Sequence, residues 1–196
     1  MPLPHSFDVI DRLAGIETGS ALVPLRDRRP VTREHAQASH DALFTAGSAD
    51  VSLAERLAVA AFVAGLHAVE SATLLYRGRL EAEAPALVAP VERETRLARA
   101  EGPFGAYPPG PLSCEDTSGL LYSADAEARR ALGSKLAAAF EHVHLLVFHP
   151  RDASRAGLAR LHEAGWSATG IVTLSQIVAF LAFQLRVATG LAALKN

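Results

Sequence analysis

Apolar residues recur along this chain at helical rather than strand spacing, and its elements follow from where that spacing starts and stops. Residues 8–16 form a short amphipathic start, and residues 17–31, with Gly19, Pro24, Pro30 and mixed charge, read as a linker. Thr32 suits the N-cap of a helix reaching Ala46. Ser52-x-x-Glu55 is a capping box, in which the Ser hydroxyl accepts a free backbone N–H and the Glu reaches back to the cap. From there Leu53, Leu57, Ala61, Ala64, Ala68 and Leu75 continue one apolar stripe to Glu83. Gly65 and Gly78 are the weak points of that run, since an interior glycine costs about 1 kcal/mol relative to alanine, and either marks a break between two helices. Pro85 closes the run, and Pro90 suits the first turn of a helix ending near Ala100.

Residues 101–122 differ in kind. Seven Pro and Gly positions between Pro103 and Gly119, with Phe104, Tyr107 and Tyr122, spell an ordered, irregular connection. Helix resumes at Ala124 and runs to Phe148. Asp152 can cap a helix over residues 153–164 that Gly165 stops, and Ser167 or Thr173 opens a last helix to Leu194. The short run Leu145-Leu146-Val147-Phe148 reads as a buried helix end rather than a strand. The pattern therefore predicts an all-α chain, a single domain over 1–196. Its N-terminal helical half is 1–100, joined by the 101–122 loop to a C-terminal half, 123–196.

Composition narrows the partners. With 196 residues and 49% apolar content the chain can bury a full core. Nineteen basic against 21 acidic residues give a net charge of −2 with no basic stripe, which disfavours nucleic acid and anionic membrane. Met1-Pro2-Leu3-Pro4-His5-Ser6 lacks the charged and apolar regions of a leader. The apolar stretch 171–194 is interrupted by Gln176, Gln184 and Arg186, which argues for a buried helix over a membrane span. One cysteine, Cys114, excludes an intrachain disulfide and suits the cytoplasm.

Residues 52–70, from the capping box through Gly65-Leu66-His67-Ala68-Val69-Glu70, resemble the core helices of the alkylhydroperoxidase D / carboxymuconolactone decarboxylase superfamily. Ala164-Gly165-Trp166-Ser167, the segment 171–180, Gln184-x-Arg186 and His149-Pro150-Arg151 are similar to its peroxidase-related branch. The resemblance implies an alkylhydroperoxidase D-like helical bundle with two related halves, assembled as a homodimer or larger oligomer. In the redox members a Glu stands twelve residues before a Cys-x-x-Cys pair, and a His follows four later. Counting from Glu55 gives His67, Glu70 and Leu74, so only the Glu is kept. The family's thiolate attack on peroxide has no sulfur here to run on.

His67 and Glu70, three apart on one helix, share a face, and a His–acid pair is suited to protonating a carbanion left by loss of carboxylate. Glu55 would lie about 18 Å away and about a third of a turn round on a straight helix. It reaches the pair only if the helix breaks near Gly65 or another subunit supplies the contact. The plainer reading, a capping Glu55 and a solvated His67–Glu70 pair, is favoured over catalysis by these three residues. Cys114 lies beside Glu115 and Asp116, which blunt a thiol. His35 and His40 are about 140° apart around a helix, and His142 and His144 also diverge, so no metal site is expected. His142 and His149 instead suit a pocket at a helix end. Arg186, if buried, needs an acid such as Glu70 or Glu141, while Tyr76, Arg77 and Trp166 read as packing and surface.

Three functions follow. The first is non-redox, decarboxylase- or isomerase-like chemistry on a small molecule near His67 and Glu70, without a cofactor. The second is a catalytically silent binding or oligomerisation protein. The third is a peroxidase-related antioxidant protein using Cys114 or a metal.

Overall fold

The computed structural model describes residues 8–195; the Met1–Ser6 stretch, read above for a leader, lies outside the described residues. The chain is all-α. Among the described residues it forms α1 (Val9–Ala14), α2 (Leu22–Asp27), α3 (Pro30–Phe44), α4 (Leu53–Leu66), α5 (Glu70–Glu83), α6 (Val88–Ala98), α7 (Ala126–Phe148), α8 (Arg155–Glu163) and α9 (Ala168–Ala193), with short 3₁₀ turns between some of them.

Helix α4 is the hub. Five alanines give it high intrinsic helicity, and every residue from Arg56 to Leu66 is buried, as expected of a helix apolar all the way round. It packs against α5, α6, α7 and α9, so one core spans both halves of the sequence. Phe62 stacks on Phe140 of α7 at 4.2 Å between ring centroids, and Tyr122 tilts against Phe62 from the end of the long loop. Among the described residues the buried Arg56 has no carboxylate partner. Its guanidinium instead donates to the carbonyls of Val51, Ala42 and Leu43 and to the Ser48 hydroxyl, pinning the end of α3 to the start of α4.

Several boundaries differ from the sequence reading. The stretch 17–31 contains α2, because Arg26 reaches back to Asp8 at 2.6 Å and to the fully buried Asp11 at 2.9 Å. Helix α3 starts with Pro30 at its first position instead of a Thr32 cap. The long run to Glu83 breaks at residues 67–69, at neither glycine: Ala68 takes a left-handed φ of 54° and Val69 is extended. Gly65 stays helical because Thr95 leaves no room; a Cβ there would meet Thr95 Cγ2 at 2.4 Å. Ser154, not Asp152, caps α8. Helix α7 bends at Gly133, whose φ of 78° and ψ of 152° interrupt it. The Ser52/Glu55 box and the Ser167 cap of α9 form as read.

The 101–122 connection is irregular but anchored. Phe104 N donates to the Phe148 carbonyl, Gly105 pairs with Thr117, and Asp152 accepts from Ala106 N. Helix α9 is long and apolar enough to cross a membrane by length and composition, and 44% of that window is buried within the fold.

Candidate functional site

The structure separates the three residues that the sequence singled out. His67 is the C-cap of α4 and Glu70 opens α5, so they stand on two helices across a break and not on one shared face; no hydrogen bond joins them. Glu70 is exposed. Glu55 sits at the opposite end of α4, an unbroken helix over Leu53–Leu66, where it closes the capping box and pairs with Lys135 at 2.8 Å. Burial pushes the Glu55 carboxyl up, but the Lys135 ammonium and the Ser52 bonds outweigh it and hold it below its ordinary value. Glu55 is therefore a cap and a tie to α7. His67 is half-buried, with Nε2 enclosed and unpartnered. Burial, and secondly the charge of Arg186, keep its imidazole neutral by lowering its pKa.

Next to that break lies a cavity of about 170 Å³ between α4, α5 and α6. Gly65, two residues before His67, and Thr73, three after Glu70, are part of its wall. Its floor is Ala61, Leu80, Val88 and Val91, while Arg77, Glu92, Arg96 and Arg99 stand round its rim. The amphipathic pattern of α6 builds this division: Val88, Val91 and Thr95 turn inward, and Glu92, Arg96 and Arg99 follow at i, i+4 and i+7 along the flank. Both threonine hydroxyls donate within their own helices, Thr73 to the Val69 carbonyl at 3.0 Å and Thr95 to Val91 at 2.8 Å. Arg77 is neutralised, by Glu92 at 2.7 Å and Glu81 at 2.8 Å. Arg99 donates from Nε to the Gly65 carbonyl at 3.3 Å, a carbonyl in the last turn of α4 that also accepts from Ala68 N at 3.2 Å. With Arg77 held by Glu81 and Glu92, three guanidiniums against two carboxylates leave the rim cationic at Arg96 and Arg99. Of these arginines only Arg77 stood out in the sequence, as packing and surface; the i, i+4, i+7 spacing of residues 92, 96 and 99 is the signal that could have found the other two.

A second polar group is buried where α3, α5 and α9 meet. Tyr76 donates to Gln184 Oε1 at 2.7 Å, His40 Nδ1 lies 3.5 Å from the Tyr76 hydroxyl, and Arg79 approaches His40 Nε2 at 3.3 Å. A guanidinium can only donate, so His40 Nε2 accepts and the ring is the neutral Nδ1–H form. Burial, then the Arg79 charge, lower the His40 pKa to about 4, with Asp41 opposing. This overturns the reading of Tyr76 as packing and surface, and it explains Gln184 in its apolar helix. The ring and Arg79 face a wide groove of about 810 Å³ lined also by Asp8, Arg12 and Gln37, where Asp8 accepts from Arg26 and Gln37 accepts from Val9 N and donates to Asp41. Trp166 packs in the core, where its indole N–H donates to the Lys135 carbonyl at 2.8 Å. Arg186 is exposed and donates to the Ala182 carbonyl, so it needs no buried acid.

The C-terminal histidines divide likewise. His149 places Nδ1 2.9 Å from Asp152 and Nε2 2.7 Å from the Leu120 carbonyl, locking the long loop to α7. The His149 bond is the main reason the Asp152 carboxyl lies below its ordinary pKa. His144 is fully buried, and among the described residues neither ring nitrogen has a hydrogen-bond partner of ordinary geometry, the Ala98 backbone being the nearest candidate. Burial and the neighbouring His149 lower it to about 4, against a smaller opposing effect of the Ala98 backbone. His142 lines a groove with Leu145, Leu158 and Ser175 and His149 a different one with Asp152, so the two do not share the one helix-end pocket expected of them. Among the described residues no three His, Cys, Asp or Glu side chains converge on a point where a metal could sit. Cys114 is exposed, its thiol donating to the Pro111 carbonyl in a 3₁₀ turn.

Compared with protein-family models, curated proteins and solved structures, the chain matches none.

Proposed function

We propose that this chain is a non-redox small-molecule-binding protein whose ligand occupies the cavity between α4, α5 and α6. One observation carries the reading: an apolar floor closed by a polar rim, the usual make-up of a small-ligand site, placed next to the helix break at residues 67–69. The likeness to the alkylhydroperoxidase D / carboxymuconolactone decarboxylase superfamily and a cytoplasmic location belong to the same proposal. Its non-redox character is supported by the side chains at the break, an imidazole and a carboxylate where the redox members carry sulfur. The separation of Glu55, His67 and Glu70 removes the three-residue catalytic arrangement, so the binding form of the reading is preferred to decarboxylase- or isomerase-like catalysis.

The test is a screen of single-ring compounds by ligand-observed NMR against the wild-type chain and Gly65→Ala. Binding that the substitution weakens at least tenfold supports the cavity, because the new methyl displaces Thr95 from its wall. Binding that Gly65→Ala leaves untouched overturns it. Peroxide consumption should be negligible and unchanged by Cys114→Ser; turnover abolished by that substitution would restore the antioxidant alternative.

A second reading, self-association, rests on α9, where Val172 and Phe183 are 55% and 42% exposed on one face of a largely apolar helix. Light scattering on the wild type and Phe183→Glu distinguishes a homo-oligomer from a monomer.

A further inference from the structure

We infer that the cavity between α4, α5 and α6 is selective for small amphipathic anions, with Arg96 and Arg99 as the clamp for the charged group; this rests on the binding role proposed above and adds the ligand's charge and size. The division of labour among the rim groups points to it. Arg77 is already held between Glu81 and Glu92 and closes α5 onto α6 across the mouth. Arg96 makes no ion pair among the described residues, and Arg99 uses only Nε, on the Gly65 carbonyl. Its two Nη groups therefore stay available on a side chain whose stem is fixed. Arg96 and Arg99 are three residues apart at the end of α6, one turn of helix, a spacing that brings both heads to one side. Guanidinium forks match the planar oxygens of carboxylates and the tetrahedral oxygens of phosphonates, and both groups present the same acceptor chemistry.

The floor sets the other half of the ligand. Ala61, Leu80, Val88 and Val91 offer no hydrogen bond to a polar body, and the hydroxyls of Thr73 and Thr95 are spent as donors. A volume of about 170 Å³ is close to the ~150 Å³ apolar cavity known to hold one benzene ring. The ligand is thus an anionic group carried on a body of one small ring or a short branched chain. Long-chain acids, nucleotides and polyanions are too large.

Titration calorimetry with benzoate, phenylphosphonate and benzamide on the intact chain tests this. Benzoate or phenylphosphonate should bind at least tenfold more tightly than benzamide, the stronger of the two anions identifying the headgroup. Arg96→Gln and Arg99→Gln should each weaken the anion about five- to tenfold and leave benzamide unchanged, whereas Arg96→Lys should retain part of the affinity. Both rim side chains are exposed, so the variants are expected to fold, and their far-ultraviolet dichroism is checked alongside. If Arg99→Gln loosens α4 by removing one of the two bonds to the Gly65 carbonyl, Arg96→Gln alone decides. Equal binding of benzoate and benzamide, unmoved by the arginine variants, overturns the anion clamp and leaves the cavity reading standing. No binding by any of the three compounds overturns both.

Discussion

Buried polar side chains carry the sharpest single-residue consequences in this protein. The Tyr76 hydroxyl satisfies Gln184 Oε1 and stands against His40 Nδ1, all within the core. Tyr76→Phe keeps the ring and strands those groups, so it should cost about 1–3 kcal/mol in urea unfolding, the usual price of an unsatisfied buried polar group. A loss below about 0.5 kcal/mol would show that the network is dispensable. Only half of it was visible beforehand. Gln184 stands out in an apolar segment, but Tyr76 looks like any aromatic at helical spacing until α3 and α9 are brought together. Arg96 and Arg99 were hidden for the complementary reason, since a charge in a single sequence looks solvated whether or not a cavity lies beneath it.

At the level of the helix, what local chemistry specifies was legible and what distant contacts specify was not. The Ser52/Glu55 box and the Ser167 cap are self-contained within a turn, and both elements begin where those residues put them. The break at 67–69 has no such signature: Gly65 looked like the weak point, yet Thr95 packs against it and the chain reverses at Ala68 instead. The left-handed conformation costs an alanine about 1–2 kcal/mol, whereas a glycine takes it freely and loses part of that gain to a more flexible unfolded chain. Ala68→Gly is therefore expected to stabilise by about 0.5–1 kcal/mol, read as a rise in Tm of a few degrees. Gly133→Ala, at φ 78°, should do the opposite. A destabilised Ala68→Gly would mean that the strain is not borne there.

For the molecule as a whole, acid should weaken the core through its buried histidines. His40 and His144 both titrate near 4 when folded, against about 6.5 in an unfolded chain, so the unfolded state binds more protons between those values. The stability that depends on their neutral forms is complete above about pH 6.5, falls as pH drops through 6.5, and is fully lost near pH 4. A shift of this size corresponds to roughly 3 kcal/mol for each ring. His144→Leu should flatten the decline in denaturant midpoint between pH 7 and 5, because it removes a buried imidazole whose pKa burial lowers; an unchanged slope would exclude His144 as a source. The sequence contains a built-in means of following this. Trp166 is the single tryptophan, 1% exposed, with the Lys135 ammonium 4.3 Å from its ring centroid and Glu55 holding that ammonium from α4. Its fluorescence should be blue-shifted and closed to acrylamide in the native state, and should redden once the junction of α4, α7 and α9 comes apart. The protein thus needs no added dye for an optical readout of its own centre.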